Sequence, residues 1–171
     1  MMVMDQGLII VRLVFGLLMA AHGAQKFFGW FGGHGLAGTA GFLETLGFRP
    51  GRVFAATASL AEIASGLLIA LGLFGPVGPA LMVSVMIIAA VSVHLKNGLF
   101  AMAGGIELAL LYGAAGAGLA LTGPGQYSLD ALLGLAPLWT PAVSWTVLAI
   151  GIVGGAANLA MRRQAPAVAG V

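Results

Sequence analysis

The sequence predicts an all-α fold, a polytopic bundle of four or five membrane-spanning helices. Three observations predict it. Hydrophobic residues make up 60% of the 171 residues and charged residues only 7%. Mean hydropathy is +1.07. Long apolar stretches, each close to the roughly 20 residues that a spanning helix needs, are separated by Gly, Pro and charged residues. A soluble domain carries about 25% charged residues. Seven Lys or Arg and five Asp or Glu are too few to cover a surface that faces water. The surrounding medium must therefore be lipid.

The first span is expected at 7–28, ending in Gln25-Lys26-Phe27-Phe28. Met1–Gly7 holds Asp5 and no basic residue, so it lacks the n-region of a cleaved signal peptide. Ala20-Ala21-His22-Gly23-Ala24 nevertheless imitates a cleavage site. Residues 29–50 are rich in glycine. Leu36, Phe42, Leu43 and Leu46 share part of a helical face there, which suits a short interfacial or re-entrant helix anchored by Trp30. The second span is expected at 53–73, closed by Gly75-Pro76, and the third at 77–95, running out through His94-Leu95-Lys96. The fourth covers 102–122 and is closed by Gly123-Pro124-Gly125. Tyr127, Asp130 and Trp139 make 123–140 interfacial, and Ser128 suits the N-cap of a short helix over 129–135. A fifth span is expected at 141–161, opened by Thr140-Pro141 and closed by Arg162-Arg163, followed by a disordered tail at 164–171. Gly151 and Gly155 form a GxxxG, which lets helices approach closely in lipid and offers a face for a homodimer.

Orientation follows from Lys and Arg near the span ends. With five spans, Lys26, Arg49, Arg52, Lys96, Arg162 and Arg163 share one side, against Arg12 at most on the other. The N-terminus is then outside and the C-terminus cytoplasmic. Four spans would place Arg162-Arg163 outside, so the charge bias favours five. The scattered basic residues form no nucleic-acid patch. Cysteine is absent, which removes thiol redox chemistry and Cys-ligated metal sites.

Ionisable residues inside a span are costly, and each is a functional candidate. They are Arg12, His22, Lys26, Glu62, His94 and Glu107. A 100° step per residue puts Lys26 about 40° and His22 about 80° from Arg12, on one side of the first helix. At 1.5 Å per residue, His22 lies about 9 Å, Lys26 about 3 Å, Glu107 about 7 Å and Glu62 about 13 Å from the cytoplasmic end. His22, Lys26, His94, Lys96 and Glu107 thus fall in one layer with Glu62 beneath, and the long Arg12 side chain extends toward Glu62 from the far side. In one reading these groups only set helix register, with Lys26 snorkelling to the interface. In the other, Glu62 and Glu107 line a polar pocket or transfer protons, while Arg12, His22, Lys26 and His94 bind a substrate or quinone. Ser59, Ser65 and Gly66 supply hydroxyls and space beside Glu62. Bis-His haem ligation would need His22 and His94 to face each other, but three histidines without a spacing motif are a poor metal signal. No metal site is assigned. Ser128 and Asp130 are read as structural turn residues.

Arg12-x-x-x-Gly16, His22-Gly23-x-Gln25-Lys26-Phe27 and Leu43-x-x-Leu46-Gly47 resemble the opening of the DoxX family. The resemblance continues through Ala61-Glu62-Ile63-x-x-Gly66-Leu67-Leu68, Glu107-Leu108-Ala109-Leu110 and Gly123-Pro124-Gly125-x-x-Ser128-Leu129-Asp130. It implies a four-helix bundle over 1–134 in the bacterial inner membrane; the additional C-terminal transmembrane helix in 135–163 departs from that four-helix pattern. Members are often described as oxidoreductases, and relatives include a subunit of thiosulfate:quinone oxidoreductase and a mycobacterial member linked to a membrane-associated oxidoreductase complex. Arg12, Lys26, Glu62, Glu107 and Asp130 match the family's polar positions, without an established catalytic assignment. The expected function is a membrane subunit supporting quinone-linked or partner-dependent redox chemistry. No intrinsic cofactor is expected, with quinone as the ligand. The expected partners are the lipid bilayer and a soluble oxidoreductase or another membrane subunit. The alternatives are a small-molecule or proton-coupled transporter, or a non-catalytic scaffold.

Overall fold

The structure is a computed structural model that describes residues 2–163, so the tail at 164–171 lies outside the described residues. The described residues are helical, with no strand among them. In chain order the helices are α1 (Met2–Phe28), α2 (Gly35–Thr45), α3 (Gly51–Leu71), α4 (Val77–Ala89), α5 (Glu107–Thr122), α6 (Leu129–Leu132) and α7 (Pro141–Ala160). A π-helical turn over Ala90–His94 and a 3-10 turn over Leu95–Asn97 prolong α4. Four helical segments are long and apolar enough to cross a membrane: Val3–Phe28, Gly51–Leu71, Val77–Asn97 and Pro141–Ala160.

The fourth expected span is shorter than the sequence implied. It begins at Glu107 rather than 102 and has 16 residues, about 24 Å at 1.5 Å per residue, against a hydrocarbon core of about 30 Å. The reason is a glycine-closed loop. Gly98 takes φ 81° and Gly104 φ 76°, left-handed conformations that a side chain disfavours. These turns let Ile106 N–H reach the Gly98 carbonyl at 3.0 Å and Glu107 N–H the Leu99 carbonyl at 2.8 Å. The loop satisfies its own backbone, as non-helical chain near a bilayer must. Ser128 caps α6 by accepting the Ala131 N–H at 3.1 Å, and α6 ends at Leu132, short of the expected 135.

The long helices alternate in direction, and the two ends of the bundle are tied by polar contacts. At one end the Arg162 Nε donates to the Leu46 carbonyl at 2.9 Å and Arg163 N–H to the Gly47 carbonyl at 2.8 Å. The end of α7 therefore sits beside the α2–α3 connection, where the five-pass reading puts it. At the other end Asp5 Oδ1 accepts the Gln126 N–H at 3.0 Å. Large apolar side chains such as Ile10, Leu17, Leu60, Leu67, Leu110 and Ile150 stand exposed on the outer faces, as lipid-facing residues do. The inner cluster is Met19, Ile69, Met82, Val85 and Leu119.

Glycines set the helix spacing. A Cβ added at Gly16 would lie 2.7 Å from the Ala70 nitrogen and the Gly66 oxygen, and one at Gly23 would lie 2.6 Å from the Ser59 oxygen. Gly66 meets the backbone of Ala20 and Gly16 in return. So α1 and α3 touch backbone to backbone. Gly151 and Gly155 do the same for α7 on α4: a Cβ there would lie 2.5 Å from the Ala80 oxygen and 2.9 Å from the Ser84 oxygen. That GxxxG face, expected to be open to a second copy, is occupied within the chain. Replacing Gly66 by Val should destabilise the bundle by about 1–3 kcal/mol through overpacking. Gly118→Val, at a position with open space, should leave the thermal unfolding midpoint in detergent almost unchanged. Equal midpoints for the two variants would contradict the close α1–α3 contact.

Candidate functional site

Of the six intramembrane candidates, the structure joins two. The Lys26 ammonium, near the end of α1, forms an ion pair with Glu62 Oε1, in the middle of α3. Glu62 is 1% exposed, whereas the Lys26 side chain is 38% exposed and reaches the outside along its own stem. The close α1–α3 contact at Gly23 and Ser59 brings the two side chains together. Thr39 of α2 donates its hydroxyl to the Lys26 carbonyl at 3.1 Å, which holds α2 against this end of α1. Glu62 Oε2 is buried, and no protein donor reaches it.

Beside the pair lies a cavity of about 270 Å³. Phe42 and Leu43 of α2, Phe54 of α3, and Leu81, Val85 and Ile88 of α4 make its apolar walls. Thr39, Thr57, Ser84 and Asn158 add sparse polar groups, and Lys26 and Glu62 form the charged corner. The π-helical turn reaches the cavity through Ser92 and Val93. Such turns are rare and concentrate at functional sites. The Ser92 hydroxyl donates to the Ile88 carbonyl at 2.5 Å and so stays with its own helix. Gly154 and Asn158 belong to α7, so the C-terminal helix closes one side of the cavity.

Arg12 serves elsewhere. It is 3% exposed and does not extend to Glu62. Nε and Nη2 donate to the Ile69 and Ala70 carbonyls, each at 3.0 Å. Nη1 donates to the Pro124 carbonyl at 2.6 Å and the Tyr127 carbonyl at 2.9 Å. Two of these acceptors lie in the last turn of α3, at the negative end of its dipole, and two in the 123–140 connection. Gly72, in the left-handed conformation at φ 64°, leaves room for the guanidinium, because a Cβ there would lie 2.6 Å from Arg12 Cζ. Nearby Asp130, fully buried, accepts three donors. They are Phe74 N–H at 2.8 Å, Gly75 N–H at 2.6 Å and Trp139 Nε1 at 2.7 Å. Both turn residues, Ser128 and Asp130, thus organise the connection 123–140.

The remaining candidates stay separate. His22 Nδ1 lies 3.2 Å from Gln25 Oε1, and its ring meets Tyr112 edge-on at 6.2 Å between centroids. His94 Nδ1 lies 2.7 Å from the Gly104 carbonyl. Glu107, the first residue of α5 rather than a group within a span, accepts the Ala101 N–H at 2.7 Å on Oε2. His94 and Glu107 brace the 98–106 loop, and among the described residues no group of three or more His, Asp or Glu is placed to hold a metal ion. Ser59 and Ser65 do not serve Glu62 either. Ser59 donates to the Ala55 carbonyl at 2.7 Å and Ser65 to the Gly78 carbonyl at 2.7 Å.

Sequence reasoning overlooked Asn158, Ser84 and Phe48. Asn158 carried a signal, as the sole amide side chain in α7. Phe48 carried none, because its burial to 1% exposed depends on the folded α2–α3 connection and the Arg162 side chain over its ring. Breaking the ion pair from one side should be costly. Lys26→Met leaves a buried carboxylate without its cation and should lower stability by about 3 kcal/mol. The double variant Lys26→Met/Glu62→Leu should recover most of that loss. Denaturation of the single and double variants in detergent measures the coupling, and additive losses would show that the pair is not formed.

A family model described as DoxX matches residues 7–95. The matched stretch runs from α1 to the end of the third spanning segment and contains both members of the ion pair. No curated protein and no solved structure matches the chain.

Proposed function

The chain belongs to the DoxX family of integral membrane proteins, and from that premise we propose that it is a quinone-binding membrane subunit of an oxidoreductase system. The observation that carries the reading is a buried carboxylate with one free oxygen, at the charged corner of a mainly apolar cavity. Ligand sites commonly pair apolar walls with a few placed polar groups. A cavity of roughly 150 Å³ lined by apolar residues holds benzene, so 270 Å³ accommodates a substituted ring and the start of its tail. The ring would lie among Phe42, Phe54 and Ile88, with its oxygen against Glu62.

Interconversion of quinone and quinol moves two electrons and two protons. Glu62 is the proton-transfer group of this reading, because half-exposed Lys26 links it to water. The electrons travel through a partner oxidoreductase. Six of the seven basic residues gather at the Lys26 end, which the positive-inside tendency directs to the cytoplasm. In the bacterial inner membrane, that end would receive a soluble partner.

Protein purified in mild detergent should retain quinone in its lipid extract. Glu62→Gln should lower the total of quinone and quinol retained about tenfold, as expected for loss of the charge-assisted hydrogen bond that a quinol hydroxyl can make to the carboxylate. It should also impair quinone-coupled activity of the host membranes. The reading fails if no quinone is retained and the host activity is indifferent to Glu62→Gln.

A further inference from the structure

The two oxygens of Glu62 are used unequally, and the difference bears on which redox form the cavity takes. Oε1 faces the Lys26 ammonium. Oε2 is buried and has no protein donor. Facing an ammonium, the group is a carboxylate, and a carboxylate only accepts hydrogen bonds. The hydroxyls around the cavity do not supply the missing donor. Thr39 gives its proton to the Lys26 carbonyl and Ser92 to the Ile88 carbonyl. A buried charged acceptor without a donor is costly, so a ligand that brings an O–H to this position recovers what the protein leaves unmade. A quinone carbonyl cannot do so, because it is itself only an acceptor and would face Oε2 lone pair to lone pair.

We infer that the cavity selects the hydroxyl-bearing ligand, the quinol, over the quinone, with Glu62 Oε2 as the group that discriminates. The inference rests on the reading of the cavity as a quinone site. It adds a direction to that reading: the bound quinol arrives with its O–H on a carboxylate.

Three probes separate the possibilities under anaerobic conditions: a short-chain ubiquinol, the matching ubiquinone, and the dimethyl ether of the same quinol. The ether keeps the ring and tail but has no O–H. Binding to the full-length protein in nanodiscs is followed by quenching of tryptophan fluorescence. The wild type should bind the quinol about ten- to a hundredfold more tightly than either other probe, the range expected for a hydrogen bond to a charged group. Glu62→Gln, whose amide offers donors of its own, should abolish the preference. Equal binding of quinol and quinone by the wild type overturns the inference and leaves the quinone-site reading standing. A preference that survives Glu62→Gln removes Glu62 as its source. Binding of none of the three probes overturns both readings. The first comparison uses the wild type alone and does not depend on the variant folding.

Discussion

The backbone contact between α1 and α3 is the constraint on which the rest depends. Gly16, Gly23 and Gly66 remove the side chains that would hold the two helices apart. In lipid there is no hydrophobic drive to press helices together, so close packing and polar contacts must do it. The contact is closed by a polar group near each end. Arg12 holds the last carbonyls of α3, and Lys26 holds Glu62 in its middle. Spreading the helices by one side chain would strand both cations at once.

Each charge taken into the bundle meets a different solution. Arg12 has no acid partner in direct contact and relies on four backbone carbonyls, a geometry its forked guanidinium suits. Asp130 is the reverse, a carboxylate held by three N–H donors. Together they tie α1, α3 and the 123–140 connection into one rigid end. Glu62 is treated otherwise, with one oxygen paired and the other left beside a cavity. A complete hydrogen-bond set marks the Arg12 end as architecture. At Glu62 the set is incomplete, and that difference is what supports the proposed ligand site.

The C-terminal helix is part of that place. It lies beyond the matched family stretch, yet it packs on α4 through Gly151 and Gly155 and contributes Asn158 to the cavity. Arg162 and the backbone of Arg163 then lock its end onto the α2–α3 connection. The same connection buries Phe48, a cavity residue. The α7 helix therefore shapes the pocket from within the bundle instead of standing apart as an appendage.

Composition alone determined that the chain is a helical membrane protein, since 7% charged residues cannot clothe a water-soluble surface. Four of the five expected spans, the Ser128 cap and the ionisable candidates were also legible, because hydropathy, capping and the rarity of charge in lipid are local properties of the chain. Their partners were not. Helical phase and depth placed His22, His94, Lys96 and Glu107 in one layer with Lys26, but could not foresee the loop at 98–106 that absorbs His94 and Glu107. Nor could they foresee that Arg12 would turn toward carbonyls 57 to 115 residues away. Which carboxylate meets which cation depends on helix rotation and on the approach that glycines allow. Those quantities arise only when the helices pack, and so the tertiary structure alone decided that Glu62 and Lys26 pair and that one oxygen of Glu62 stays free.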